Sequence, residues 1–125
     1  MPSDLTILIV ACDPYLAGIY GRKFELDGWD VEIAETLDEG ERKATRMRPA
    51  IIILDAECAV DISTEVARLR SLPTILKTKI VVLAQMGDRD EIEKARMAGA
   101  SDYLLLGHFV PQEAVQKMRR LIAEK

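Results

Sequence analysis

Short apolar segments alternate five times along the chain with longer segments in which apolar residues recur at helical spacing. Residues 5–11, 50–54 and 79–84 are almost continuously apolar and rich in β-branched side chains, which is typical of strands covered on both faces. Residues 29–34 alternate apolar and polar positions and predict an edge strand, and residues 102–106 are the fifth strand candidate. The pattern therefore predicts repeated βα units.

Helix-start and helix-stop signals fill the intervals between these strands. Asp13 followed by Pro14 predicts an N-cap with proline at the first helical position, and Gly28 ends that helix. The stripe expected to face the core in this first helix comprises Leu16, Ile19, Tyr20 and Phe24. Thr36 with Glu39 three residues later forms a capping box for the second helix. The later helices are predicted to begin near Ser63, Asp88 and Pro111.

Five parallel strands joined by right-handed helical crossovers make a doubly wound α/β domain, expected to span residues 1–125. With the amphipathic segment at the edge, the flavodoxin-like strand order 2-1-3-4-5 is the expected (βα)5 topology. In such sheets the functional crevice lies outside the carboxyl ends of the strands, at the switch point. Asp13, Asp55 and the residues after Ala84 stand at those ends.

Charge and composition narrow the function classes. Seventeen basic against 21 acidic residues give a net charge of −4, so a nucleic-acid interface with a concentrated basic face is not expected. No apolar run approaches the ~20 residues needed to cross a bilayer, so no membrane insertion is expected. Cys12 and Cys58 are too few for a disulfide framework, which favours a reducing, cytoplasmic location.

Four segments together carry a family resemblance: ILIVACDP (7–14), IIILDAEC (51–58), VVLAQ (81–85) and AGASDYLLLG (98–107). In order and spacing they resemble the receiver domain of two-component response regulators, such as the chemotaxis regulators. The resemblance implies that Asp55, which ends the third strand, accepts a phosphoryl group from a histidine kinase with the help of Mg²⁺. If that chemistry operates here, the metal ligands would be Asp13, Asp55 and Glu57. A carboxylate nucleophile needs such a hard cation, and a fixed ammonium, to neutralise the phosphoryl oxygens.

The chain departs from this family at most of the positions that do the chemistry. Ala11 and Cys12 stand at the acidic pair, Ala84 at the hydroxyl position and Leu106 at the lysine position. One charged stabiliser in such a site contributes ~3–4 kcal/mol to a transition state. We therefore expect a signalling domain that is not an enzyme and acts as a protein-interaction module, with weak or no phosphorylation of Asp55. The alternative is a regulator that is phosphorylated on Asp55 with Mg²⁺.

The resemblance also implies a contact surface on the fourth helix, fifth strand and fifth helix. Its candidate residues are Arg96, Tyr103, Val115 and Arg119, and its partner would be a signalling protein, a histidine kinase or a second copy of the chain. His108, the only histidine, is expected to be a solvated loop residue.

Two further alternatives involve other chemistry. A flavodoxin-like binder of a small ligand would use the same crevice, although ACDPY (11–15) lacks a glycine-rich phosphate loop. Cys12 and Cys58 follow neighbouring strands and could form a redox pair or a soft-metal site. For both residues, however, the expected role is that of a small buried apolar side chain.

Overall fold

The computed structural model describes residues 5–85, 87–105 and 110–123. Five parallel strands form one sheet in the order β2-β1-β3-β4-β5, which confirms the flavodoxin-like topology and the edge position of the amphipathic strand. The strands are β1 (Thr6–Val10), β2 (Asp30–Ala34), β3 (Ile51–Asp55), β4 (Lys79–Ala84) and β5 (Asp102–Leu105). The helices are α1 (Pro14–Leu26), α2 (Leu37–Met47), α3 (Ile62–Arg70), α4 (Arg89–Ala98) and α5 (Pro111–Ala123). Short 3₁₀ turns occupy Ala56–Cys58 and Pro73–Ile75.

Alternate side chains of the central strands enter two separate cores, because successive strand residues point to opposite faces. Ile9 and Ile53 belong to the core that includes Phe24 of α1 and Met118 of α5. The opposite core contains residues of β1, β3 and β4 together with α2, α3 and α4, including Leu8, Ile52, Ala44, Val66 and Ala95. Each layer of helices therefore buries one face of the same sheet.

The buried face of α1 differs from the predicted stripe. Tyr20 and Phe24 are buried as expected, but Ile19 is 37% exposed and Ala17 and Gly21 share the buried face. A Cβ on Gly21 would lie 3.3 Å from Cδ1 of Ile33, so the glycine lets the helix approach β2 closely. Leu16 is partly buried and packs against the same core, so of the predicted stripe only Ile19 was assigned wrongly.

The carboxyl end of α3 is tied to two neighbouring segments through Arg70. Its guanidinium donates to the Thr78 carbonyl at 2.8 Å and to the Gly99 carbonyl at 3.0 and 3.3 Å, with a longer contact to Ile75. Gly99 has φ +121°, and a Cβ there would lie 2.8 Å from Cγ of Arg70. The glycine therefore both ends α4 and leaves room for the arginine.

The edge strand β2 is flanked by a lysine of α2. Lys43 donates to the Ile33 carbonyl at 2.6 Å and lies 3.6 Å from a Glu32 carboxylate oxygen. Among the described residues, no helix is both long enough and apolar enough to cross a membrane.

Candidate functional site

Asp55 lies at the carboxyl end of the central strand β3, with only 2% of its surface exposed. The four preceding residues are all buried apolar side chains, so the strand delivers the carboxylate directly to the edge of the sheet. Its Oδ1 accepts the backbone N–H of Glu57 at 3.0 Å and caps the short turn Ala56–Cys58. The sequence prediction that Asp55 ends the third strand is confirmed.

The surroundings of Asp55 disfavour its charged form. Burial raises the pKa of this carboxyl group, the hydrogen bond from Glu57 opposes that rise, and the charges of Glu57 and Asp13 add to it. Asp13 is itself engaged, because its Oδ1 accepts the N–H of Tyr15 at 2.9 Å and caps α1. The predicted acidic residues thus gather near Asp55 without a neutralising side chain on the same loops.

A disulfide joins Cys12 to Cys58 beside this carboxylate. The two Cα atoms are 5.7 Å apart, within the ordinary range for a disulfide. The Cys12 N–H donates to Cys58 Sγ at 2.8 Å, and the same sulfur lies 3.8 Å from Asp55 Oδ2. The expectation of two free, buried thiols was wrong, because β1 and β3 are neighbours and the loops that follow them meet.

The donor atoms of Cys12, Asp55 and Cys58 do not fit Mg²⁺, because two of the three are disulfide sulfurs. These three ligating atoms, two sulfurs and one carboxylate oxygen, all lie within 4.8 Å of one another. Magnesium is a hard cation that takes oxygen ligands in near-octahedral geometry. Of the predicted ligands Asp13, Asp55 and Glu57, Asp55 has a disulfide sulfur 3.8 Å from its carboxylate.

The positions at which the family resemblance leads us to expect an acid, a hydroxyl or a lysine carry small or apolar side chains. Ala11 and Ala84 are buried with 1% and 3% of their surface exposed, and neither supplies a polar group. Leu106 and His108 lie outside the described residues. Among the described family positions, which are Ala11, Cys12, Asp55 and Ala84, only Asp55 has a side chain that can carry a charge.

A cleft of about 450 Å³ opens next to Asp55, between the β3–α3 segment and α4. Its walls come from five elements: the turn Ala56–Cys58, α3, β4, α4 and β5. The Tyr103 hydroxyl, buried at this cleft, has no hydrogen-bond partner among the described residues. The residues that line the cleft include Glu57, Val60, Ser63, Ala84, Lys94 and Tyr103.

The four residues predicted for a contact surface do not share one exposed face. Arg96 of α4 is exposed, but Tyr103 and Val115 are buried at 7% and 5%, which corrects their assignment as surface contacts. Arg119 points toward α1, where it donates to the Asp27 carboxylate at 2.5 Å and to its carbonyl at 2.8 Å. Its side chain is engaged within the domain, and this ion pair lowers the pKa of Asp27.

Comparisons with known proteins agree with this architecture, although no family model matches the chain. The DNA-binding dual master transcriptional regulator RpaA of Synechocystis is 28% identical over 117 residues, which are 93% of this chain and 48% of that protein. The chain therefore spans about half the length of this curated relative. A response regulator from Chloroflexus aurantiacus is 28% identical with a TM-score of 0.84, covering 95% of this chain and 98% of the other. A CheY-like receiver domain protein from Methanospirillum hungatei superposes with a TM-score of 0.86 at 21% identity, covering 95% and 94% of the two chains.

Proposed function

We propose that the chain is a receiver domain of the response-regulator type that signals by protein contact and not by phosphorylation of Asp55. The observation that carries this proposal is the disulfide between Cys12 and Cys58, which lies against Asp55 where the family resemblance leads us to expect acidic metal ligands. A disulfide carries no charge and offers a hard cation no oxygen ligand. Asp55 then serves as a buried capping carboxylate.

Electrostatics supports the same conclusion. Phosphoryl transfer to Asp55 would place further negative charge close to Asp13 and Glu57, whose charges already act unfavourably on it. Like charges at such short range are tolerated only when cations neutralise them. Ala84 also lacks the hydroxyl that would turn toward a phosphoryl group.

The proposed partner is a signalling protein, such as a histidine kinase, or a second copy of the chain. We place the contact on the exposed side of α4, where Arg96 is accompanied by Met97, which is 82% exposed. An arginine beside an exposed apolar side chain suits the composition of interface cores. Arg96→Glu should abolish capture of a partner, whereas Arg22→Glu on the exposed side of α1 should leave it unchanged. Equal capture by both variants would place the contact elsewhere.

The phosphorylation question is tested by titrating the protein with beryllofluoride and Mg²⁺ while amide shifts are followed by NMR. We expect no saturable, Mg²⁺-dependent change in the amide shifts of residues near Asp55. The spectrum of Asp55→Asn should be the same with and without the two reagents. Incubation with acetyl phosphate should likewise leave the mass of the protein unchanged.

The second candidate function is phosphorylation of Asp55 itself, which is favoured by its place at the end of β3, where the family resemblance expects the phosphoacceptor. Saturable beryllofluoride binding that Asp55→Asn abolishes would establish this alternative and overturn our proposal.

A further inference from the structure

The two cysteines of the chain come together although 46 positions separate them. Cys12 follows β1 and Cys58 ends the turn after β3, and the pairing of Val10 with Leu54 brings the two strand ends side by side. The sheet thus holds the two Cα atoms 5.7 Å apart, a separation that a disulfide can span. This juxtaposition meets the geometric requirement for a thiol pair that opens and closes.

The disulfide lies at the rim of the fold and not in its cores. Cys12 is exposed and Cys58 is partly exposed, and neither belongs to the two clusters of buried side chains that hold the sheet and helices together. A domain of this length buries enough surface to fold without cross-links. Opening the bond therefore leaves the packing that defines the fold in place.

We propose that Cys12 and Cys58 form a reversible thiol–disulfide site that exchanges with low-molecular-weight thiols and disulfides and controls the segment 56–61 beside Asp55. In the oxidising direction, the Cys12 sulfur attacks a disulfide reagent and one thiol leaves. The Cys58 sulfur then attacks Cys12 and releases a second thiol. The two protons lost by the cysteines end on the two thiols released, so one reagent disulfide is reduced for each protein disulfide formed.

The reverse reaction begins at Cys12, the more exposed of the two residues. An external thiol attacks its sulfur and displaces that of Cys58, which accepts the Cys12 N–H at 2.8 Å. A second thiol then removes the first from Cys12, leaving two protein thiols and one reagent disulfide. No other reactant is needed.

The consequence of exchange falls on one wall of the cleft next to Asp55. Cys58 lies within the segment from Ala56 to Asp61, and five residues of that segment line the cleft with Tyr103. The closed bond tethers this wall to the loop after β1, whereas the open form removes that covalent link and leaves the wall held by the Asp55 cap and by the packing of Ala56 and Ala59. This inference holds whether or not Asp55 is phosphorylated.

The test equilibrates native protein with mixtures of reduced and oxidised glutathione and counts thiols with a chromogenic reagent. We expect two thiols per chain at the reducing limit and none at the oxidising limit, with a mass decrease of two hydrogens, no retained glutathione and no covalent dimer. NMR should show shift changes concentrated in residues 56–61 and at Tyr103. In Cys12→Ser and Cys58→Ser the remaining thiol should form only a mixed disulfide with glutathione, and the doubly substituted protein should keep its fold without responding to redox conditions.

Three results would overturn the proposal. Two thiols persisting in excess oxidised glutathione would mean that the pair does not close, and a disulfide that dithiothreitol reduces only after denaturation would mean that it is a permanent cross-link. If the amide shifts of residues 56–61 stayed unchanged although thiol–disulfide exchange was complete, the disulfide would not control that segment.

Discussion

Replacing Arg70 with methionine should lower the free energy of unfolding by about 2–3 kcal/mol. Methionine keeps most of the apolar stem but removes the short hydrogen bonds to the Thr78 and Gly99 carbonyls. Hydrogen bonds to a charged group contribute about 1.5–3 kcal/mol each. Part of the loss of two such bonds is offset, because the variant no longer has to remove a guanidinium from water. With an unfolding entropy of about 2.1 cal/mol/K per residue, 125 residues convert this loss into a fall in Tm of about 8–12 °C.

Chemical and thermal unfolding of the variant and the wild type, followed by circular dichroism, measure this effect. Arg68→Met is the matched control, because Arg68 lies about half a turn earlier on α3 and its half-exposed guanidinium pairs with Asp38 and Glu41. Exposed pairs of this kind contribute about 0.2–1 kcal/mol. Equal losses in the two variants, or a loss below about 0.5 kcal/mol for Arg70→Met, would refute the reasoning.

Two other changes test the site and the packing. Asp55→Asn should be more stable than the wild type at pH 7. Because the pKa of Asp55 is raised in the folded state, the folded wild type binds more protons than the unfolded chain. The stability of the wild type therefore falls as the pH rises above the ordinary Asp pKa of ~3.9. Urea unfolding from pH 4 to 8 measures this, and a wild-type advantage at neutral pH would contradict it. Gly40→Ala should cost about 1–2 kcal/mol, because its Cβ would lie 2.9 Å from Cγ2 of Val10, whereas Gly18→Ala, with open space around it, should gain up to ~1 kcal/mol. Thermal unfolding of this pair decides it, and a gain in both would show that Val10 yields easily.

The strands and most helix starts followed from local sequence, since their causes are local. Continuous β-branched runs specified the buried strands, and Asp13 and Thr36 cap the helices that their positions predicted. The place of Gly21 on the buried face of α1 was missed, because its small size matters only against Ile33 of a neighbouring strand. Close approaches of this kind are properties of packing and leave no periodic pattern of large apolar residues.

The site was predictable only in part. Asp55 could be placed because a polar residue ending a buried run marks a strand end. The disulfide depended on the distance between two loops, which neither cysteine specifies by itself. Arg119 was assigned to a contact surface because its partner Asp27, 92 positions away, becomes apparent only when α1 and α5 are placed side by side.

The lysine beside β2 has a consequence for how copies of this domain meet. The Asp30 N–H and the Ala34 carbonyl bond to the β1 side, so the alternation of a parallel ladder turns the Ile33 carbonyl outward, where Lys43 occupies it. An incoming strand would have to displace that ammonium and line up beside the carboxylates of Asp30 and Glu32. The β2 edge of the sheet is thereby protected against strand addition and the fibrous aggregation to which it leads.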